Sequence, residues 1–313
     1  MEIRDYKSGD ENDIVVLFEL VFGKPMPLSY WKWRFADNPC KQFMIKLMWN
    51  GDKLIGHYAV SPVELCDYQQ TLLTGLSMTT MTHPDFTGLG IFPLLSESLY
   101  KDMQEKYWAA GVWGFPNNNS HRGFVSNLQW KDITVLPMFS CAIDKLTPKQ
   151  DDSITYTRQF DKSHENAFME YFADHLGVKK DATYLNWRYI DNPLNTYIVF
   201  DLTAVQGGFV VCKEYNAGGT NGKKQVDIID WCVSAEAKMT KKVIQHLAAS
   251  FPADKYSQLN MWMPLEDVRH GQLEKLGFAN VAPVTYWSAR SFGEKNLSGA
   301  DNWWIQLGDS DVY

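Results

Sequence analysis

Apolar residues at Ile14, Leu17, Phe18 and Phe22 recur at spacings of three and four, which puts them on one face of a helix. Gly23 follows where a left-handed C-cap would end that helix. The stretch LSYWKWRFADNP, Leu28 to Pro39, predicts a short second helix stopped by a turn, because the residue before a proline avoids helical geometry. Phe43 to Trp49 and Lys53 to Val60 then flank Asn50-Gly51-Asp52, a hairpin-type turn between two strands. Leu76 to Thr82 reads as a strand, and Phe92, Leu95, Leu99 and Met103 mark the buried stripe of a helix. Gly111 to Phe115, Thr196 to Leu202 and Gly207 to Lys213 read as further strands.

The chain matches itself without gaps at an offset of 154 positions, LSYWKWRFADNP lying over ATYLNWRYIDNP, Ala182 to Pro193. Trp33 falls on Trp187, Arg34 on Arg188 and Asp37-Asn38-Pro39 on Asp191-Asn192-Pro193, while Phe18 falls on Phe172 and Gly23 on Gly177. A duplicated α/β unit follows as the expected fold class, an α+β mixed sheet in each half flanked by helices. The expected domains are 1–148 and 149–313, divided near residues 140–155 around Thr147-Pro148-Lys149-Gln150.

Composition narrows the possibilities. The net charge of −7 repels a phosphate backbone at long range and argues against nucleic acid as the main partner, while leaving room for a small phosphorylated ligand. No apolar run is long enough to span a membrane, and the charged start MEIRDYKSGDENDI lacks the apolar stretch of a signal peptide, so a cytoplasmic protein is expected. Cys40, Cys66, Cys141, Cys212 and Cys232 are scattered and odd in number, which fits free thiols; neither they nor the histidines have metal-ligand spacing, and no metal is expected.

The candidate chemistry starts at Thr87-Gly88-Leu89-Gly90-Ile91, a glycine-rich turn between the strand ending at Thr82 and the helix carrying Phe92. Unpaired N–H groups and the positive end of a helix dipole can there meet an anion, and the absent side chains let it approach. No lysine followed by Ser or Thr continues it as in a nucleotide-triphosphate loop, and it lies too far into the chain for a dinucleotide fingerprint. HPDFTGLGIFPLL resembles the acyl-CoA pyrophosphate motif, Arg/Gln-x-x-Gly-x-Gly/Ala, of the GNAT superfamily of N-acetyltransferases. In that family the motif opens the third helix, and a later helix ends in a Leu-Gly-Phe-like stretch; FVSNLQW, Phe124 to Trp130, and LEKLGF, Leu273 to Phe278, stand at the matching places. Thr87 replaces the usual Arg or Gln and Phe92 the usual small residue, so the cradle relies on main-chain N–H groups. CVSAEAKMTKKVIQHL in the second half has no glycine between Cys232 and Leu247, so only the first half is expected to hold CoA.

The resemblance implies that CoA is held by Thr80, Met81, Thr82, Thr87, Gly88, Leu89, Gly90, Ile91 and Phe92, with Asn117 and Asn119 beyond the next strand. Main-chain groups of Thr80 to Thr82 would meet the oxyanion and the pantetheine arm. The family often protonates the leaving thiolate with a tyrosine of its fourth helix, but no tyrosine occurs between Tyr107 and Tyr156. Ser120 and Asn117 are the nearest polar groups, each equally readable as a helix cap. For a general base the candidates are His57, His83 and His121. The tryptophans, among them Trp31, Trp113, Trp231 and Trp304, suit either core packing or stacking on a nucleobase.

The implied activity is acyl transfer from acyl-CoA to a primary amine. The doubled architecture, the turn Gly114 to Ser120 and the ending GDSD resemble acyltransferases of surface-sugar pathways, which makes a dTDP- or UDP-linked amino sugar the favoured acceptor. The alternatives are an aminoacyl-tRNA-dependent peptidoglycan transferase, disfavoured by the acidic charge, and a binding module with a degenerate CoA pocket. A monomer or homodimer is expected. The tail NWWIQLGDSDVY alternates like a strand, and its Asp309 and Asp311 either bind sugar hydroxyls or face water.

Overall fold

The computed structural model describes residues 1–67, 70–172, 174–205, 207–216, 222–300 and 302–313. The first half runs β1 (Glu2–Asp5), α1 (Glu11–Phe22), α2 (Leu28–Trp31), β2 (Met44–Asn50), β3 (Lys53–Asp67), β4 (Gln70–Thr82), α3 (Ile91–Glu105), β5 (Gly111–Gly114), α4 (His121–Leu128) and β6 (Lys131–Ala142). The second runs β7 (Thr155–Thr157), α5 (Lys162–Phe172), β8 (Leu176–Val178), α6 (Ala182–Leu185), β9 (Ile198–Asp201), β10 (Phe209–Tyr215), β11 (Lys224–Cys232), α7 (Ala237–Ser250), β12 (Tyr256–Met261), α8 (Val268–Glu274), β13 (Ala279–Ser291) and β14 (Trp303–Trp304).

The repeated segment adopts one shape twice. Helix α2 runs into a π-helical turn at Lys32–Ala36, and α6 into another at Asn186–Ile190, each 154 positions on. The shared Asp-Asn-Pro then ends both. At the seam the Trp33 and Trp187 rings stack with centroids 5.0 Å apart. Each indole Nε1 donates to the other residue's carbonyl, at 2.7 Å from Trp33 and 2.9 Å from Trp187. Gly23 has φ 67° and its N–H reaches Glu19, so the left-handed cap read from the sequence forms.

Among the described residues one mixed sheet of 14 strands crosses both halves, in the order β1-β2-β3-β4-β5-β13-β6-β12-β11-β10-β9-β7, with β8 and β14 branching from β3. The order reads alike from both ends, and its centre is exchanged. Strand β13, from late in the chain, pairs with β5, while β6, from the first half, pairs with β12. Strands β4 and β5 are parallel, as are β11 and β12, and the neighbouring pairs are antiparallel. Helix α3 buries Leu95, Leu99 and Met103 against the sheet, as the spacing predicted.

The closing segment departs from the expected strand. Only Trp303 and Trp304 pair, with β8, and a 3-10 turn follows at Leu307–Asp309. Asp309 faces neither water nor the cleft: it is buried, 3.2 Å from the ammonium of Lys180. Trp31, Trp113, Trp231 and Trp304, together with Trp33, Trp130, Trp187 and Trp303, are at most 6% exposed, which makes them core residues. The cysteines are free. Among the described residues no helix is long and apolar enough to cross a membrane.

Candidate active site

Strands β4 and β5 pair through Gly75 with Val112 and Leu76 with Trp113, and no further. Beyond that point they part, and a cleft of about 450 Å³ opens between them, lined by Ser77, Thr79, Thr80 and Gly114 among others. Phe92 carries its wall to the start of α3, and Asn117, Asn119 and Ser120 close it from the loop after β5.

A β-bulge shapes the cleft. His57 pairs with Met81 and Ala59 with Met78, so Thr79 and Thr80 together oppose Tyr58 alone, and Thr79 takes φ 52°. The carbonyl of Thr79 lies 2.7 Å from His57 Nδ1. His57 is 0% exposed and burial lowers its pKa to about 4, against a weaker opposing hydrogen bond, so it stays neutral and holds the bulge. It does not line the cleft and cannot act there as the base expected from the sequence.

The other two histidines also lie off the cleft lining. His83 is buried, and its Nδ1 accepts the Asp85 N–H at 3.2 Å, capping the turn before the glycines. His121 stacks on Tyr286 at 4.0 Å and pairs with Asp132 at 2.8 Å. Asn117 and Ser120 do reach the cleft, but Asn117 Oδ1 also accepts the N–H groups of Asn119 and Ser120, each at 3.0 Å, which fixes the loop. The Met81 and Ile91 side chains are buried in the core, leaving only their main chain for a ligand.

A chain of hydroxyls, missed in the sequence, runs beneath the cleft. Trp130 Nε1 donates to Tyr100 Oη at 3.0 Å, Tyr100 Oη lies 2.8 Å from Tyr58 Oη, and Tyr58 Oη lies 2.9 Å from Ser77 Oγ. An indole only donates. The order that leaves no buried hydroxyl without an acceptor has Tyr100 donating to Tyr58 and Tyr58 to Ser77, which frees the Ser77 O–H for a group in the cleft that Ser77 lines. Burial raises the pKa of both tyrosines, so each stays a neutral hydroxyl.

At the mouth, Gly88 has φ 77° and Gly90 φ 71°, and a Cβ on either would meet nothing within 4 Å. The N–H groups of residues 88–92 find no acceptor among the described residues, and α3 starts without a side-chain cap. Such an array at a helix N-terminus suits an anion. Thr87 turns its hydroxyl to the Pro84 carbonyl at 3.1 Å, so its side chain serves the turn. Leu89 is exposed, and Thr82 lines the cleft between this turn and the bulge.

Residues 2–130 match the model of the Acetyltransferase (GNAT) domain. Over this part, less than half of the chain, the protein is similar to a GNAT acetyltransferase domain. GNAT domains take acetyl-CoA or acyl-CoA as co-substrate, and the protein is an acyl-CoA-dependent N-acyltransferase. The whole fold is similar to that of a GCN5-related N-acetyltransferase from Anabaena variabilis, with a TM-score of 0.71 at 11% identity over 93% of this chain and 72% of the other. A GCN5-related N-acetyltransferase from Kribbella flavida gives 0.68 at 13% identity over 93% and 70%. Eis1 from Mycobacterium abscessus gives 0.61 at 12% over 92% and 73%. At such identities the likeness is one of fold. No curated protein matches the chain.

Proposed function

We propose that the protein transfers the acyl group of an acyl-CoA to the primary amine of a nucleotide-linked amino sugar, a dTDP- or UDP-sugar, by direct attack on the thioester. The observation that carries this reading is one cleft reaching from Phe92 at the start of α3 to the bulge at Thr79 and Thr80. The CoA diphosphate sits on the main-chain N–H groups of residues 88–92, and the pantetheine arm enters between β4 and β5. The amine nitrogen attacks the thioester carbonyl carbon, a C–N bond forms as the C–S bond breaks, and the thiolate takes up a proton. Asn117, Asn119, Ser120 and the threonines of β4 give the cleft a polar lining that suits a hydroxylated acceptor.

The chain is further read as two tandem GNAT-like units, 1–148 and 149–313, the second without a CoA cradle. The repeat at 154 positions and the mirrored strand order support that division. Thiol release from acetyl-CoA and longer acyl-CoAs, measured against a panel of dTDP- and UDP-linked amino sugars, tests the function. Turnover is expected with a nucleotide amino sugar. Turnover only with amines that carry no nucleotide would remove the acceptor assignment, and no CoA binding at millimolar concentration would remove the site.

A further inference from the structure

The acyl-transfer reading leaves open which group receives the proton of the acceptor amine. Among the residues lining the cleft, Asp311 is the one with an ionisable side chain. It comes from the last turn of the chain, far in sequence from β4 and β5, and second-half groups hold it there. The Arg188 guanidinium donates to the carbonyls of Gly308 at 3.1 Å, Ser310 at 3.3 Å, and Tyr313. The Tyr313 hydroxyl donates to Asp227 at 2.8 Å, and Gln306 and Asp309 cap the turn reciprocally. Asp311 itself has no ion pair within 4 Å among the described residues. A carboxylate fastened at its main chain and without an ion pair at its side chain, in the wall of the cleft, suits a cation that arrives with the substrate.

We propose that Asp311 binds the acceptor as its primary ammonium ion and takes one proton from it, releasing the neutral nitrogen that attacks the thioester. This rests on the acyl-transfer reading above and names the residue that reads the amine. The ammonium N–H bond breaks and its proton passes to a carboxylate oxygen. The free lone pair then forms the C–N bond, the second nitrogen proton leaves with the thiolate as CoA thiol, and Asp311 returns its proton to water. The second half thus completes the first half's site. The charged groups facing Asp311 are Arg34 and Arg188, one from each π-helical turn. Arg34 is buried against the Trp33 and Trp187 rings, and its Nε and Nη2 have no hydrogen-bond partner among the described residues. Burial raises the Asp311 pKa and the two arginines oppose it, with burial prevailing.

The test compares the full-length protein with Asp311→Asn and Asp311→Ser, using CoA alone by calorimetry, then acetyl-CoA with a dTDP-linked amino sugar or with hydroxylamine, which is neutral at pH 7. Both variants should bind CoA as the parent does and lose about 100-fold or more in kcat/KM for the charged amine. Far less should be lost for hydroxylamine, and the rise of activity with pH through the carboxyl pKa should vanish. Turnover of the charged amine within two-fold of the parent in either folded variant, or equal losses for the two amines, would overturn the role of Asp311 and leave the CoA site standing. A parent protein that binds no CoA would instead overturn the reading beneath it.

Discussion

The indole N–H of Trp130 ends on the hydroxyl of Tyr100, and this contact orients every hydroxyl between it and the cleft. With a donor-only group at its closed end, the chain Tyr100, Tyr58, Ser77 satisfies every buried hydroxyl when its open end donates. Negative charge develops on the thioester oxygen and then on sulfur, so a donor already aimed into the cleft stabilises it without reorganisation. Ser77→Ala is expected to lower kcat by about 100-fold with CoA affinity unchanged. Tyr58→Phe keeps the ring but cuts the chain, and should lower kcat by about 10-fold, a smaller loss because the Ser77 hydroxyl remains. Steady-state kinetics at saturating acyl-CoA decide it; a Ser77→Ala enzyme with parental kcat would show that the chain only serves packing.

Gly90 separates folding from binding. Its φ of 71° disfavours any side chain, yet a Cβ there meets no protein atom within 4 Å. Gly90→Val should therefore cost about 1–2 kcal/mol of stability, the ordinary cost of left-handed backbone in an L-residue. Its larger effect should be on the anion, whose approach to the N–H groups of residues 88–92 the new side chain blocks. Calorimetry with CoA should show affinity lowered by about 100-fold, roughly the loss of two charge-assisted hydrogen bonds. Unchanged affinity would mean that the diphosphate lies elsewhere.

What the sequence revealed and concealed follows from how local each signal is. Helix α1, its Gly23 cap and the glycine-rich turn depend on neighbours a few residues apart and were readable, although Phe22 at the end of the α1 stripe is exposed. The exchange of β6 and β13 was not, because each strand pairs with the opposite half and carries no local mark of it. The absence of a tyrosine between Tyr107 and Tyr156 directed attention to histidines, while the tyrosines beneath the cleft come from β3 and α3. Burial separates His57 from the cleft, and periodicity alone does not reveal that. Asp311 stood out only as an acid near the end of the chain, and the fold alone brings it opposite β4.

Lys180 lies between two carboxylates, 2.6 Å from Asp230 and 3.2 Å from Asp309, with all of them buried. Burial works to lower the lysine pKa, but attraction to the aspartates outweighs it and holds the ammonium charged. Two carboxylates facing one ammonium leave an excess negative charge, and burial raises the Asp309 pKa to about 6 from 3.8. The folded chain then holds that proton more tightly than the unfolded chain, so this contribution to stability is lost as pH rises from 3.8 through about 6. Asp309→Asn should flatten that part of the profile and change stability at pH 7 by less than about 1 kcal/mol, since the Lys180–Asp230 pair remains. Lys180→Met should cost about 3–5 kcal/mol, because it leaves the carboxylates without a counter-charge. Thermal unfolding from below pH 3.8 to pH 8 checks both, and a steeper profile in Asp309→Asn would contradict the assignment.

The paired tryptophans bear on whether the halves fold apart. Trp33 and Trp187 each donate to the other's carbonyl across the seam, while β6 and β13 exchange places in the sheet. Neither half can leave without breaking both the stacked rings and the central strand pairs, so chemical denaturation should give one cooperative transition. Trp187→Phe keeps a ring in the stack but leaves the buried Trp33 carbonyl without its donor, which should cost about 1–3 kcal/mol. That loss should move the whole transition, seen equally by fluorescence of the remaining tryptophans and by circular dichroism. If the variant split the curve into two steps, or moved fluorescence alone, the halves would be separate folding units and the shared sheet a docking surface.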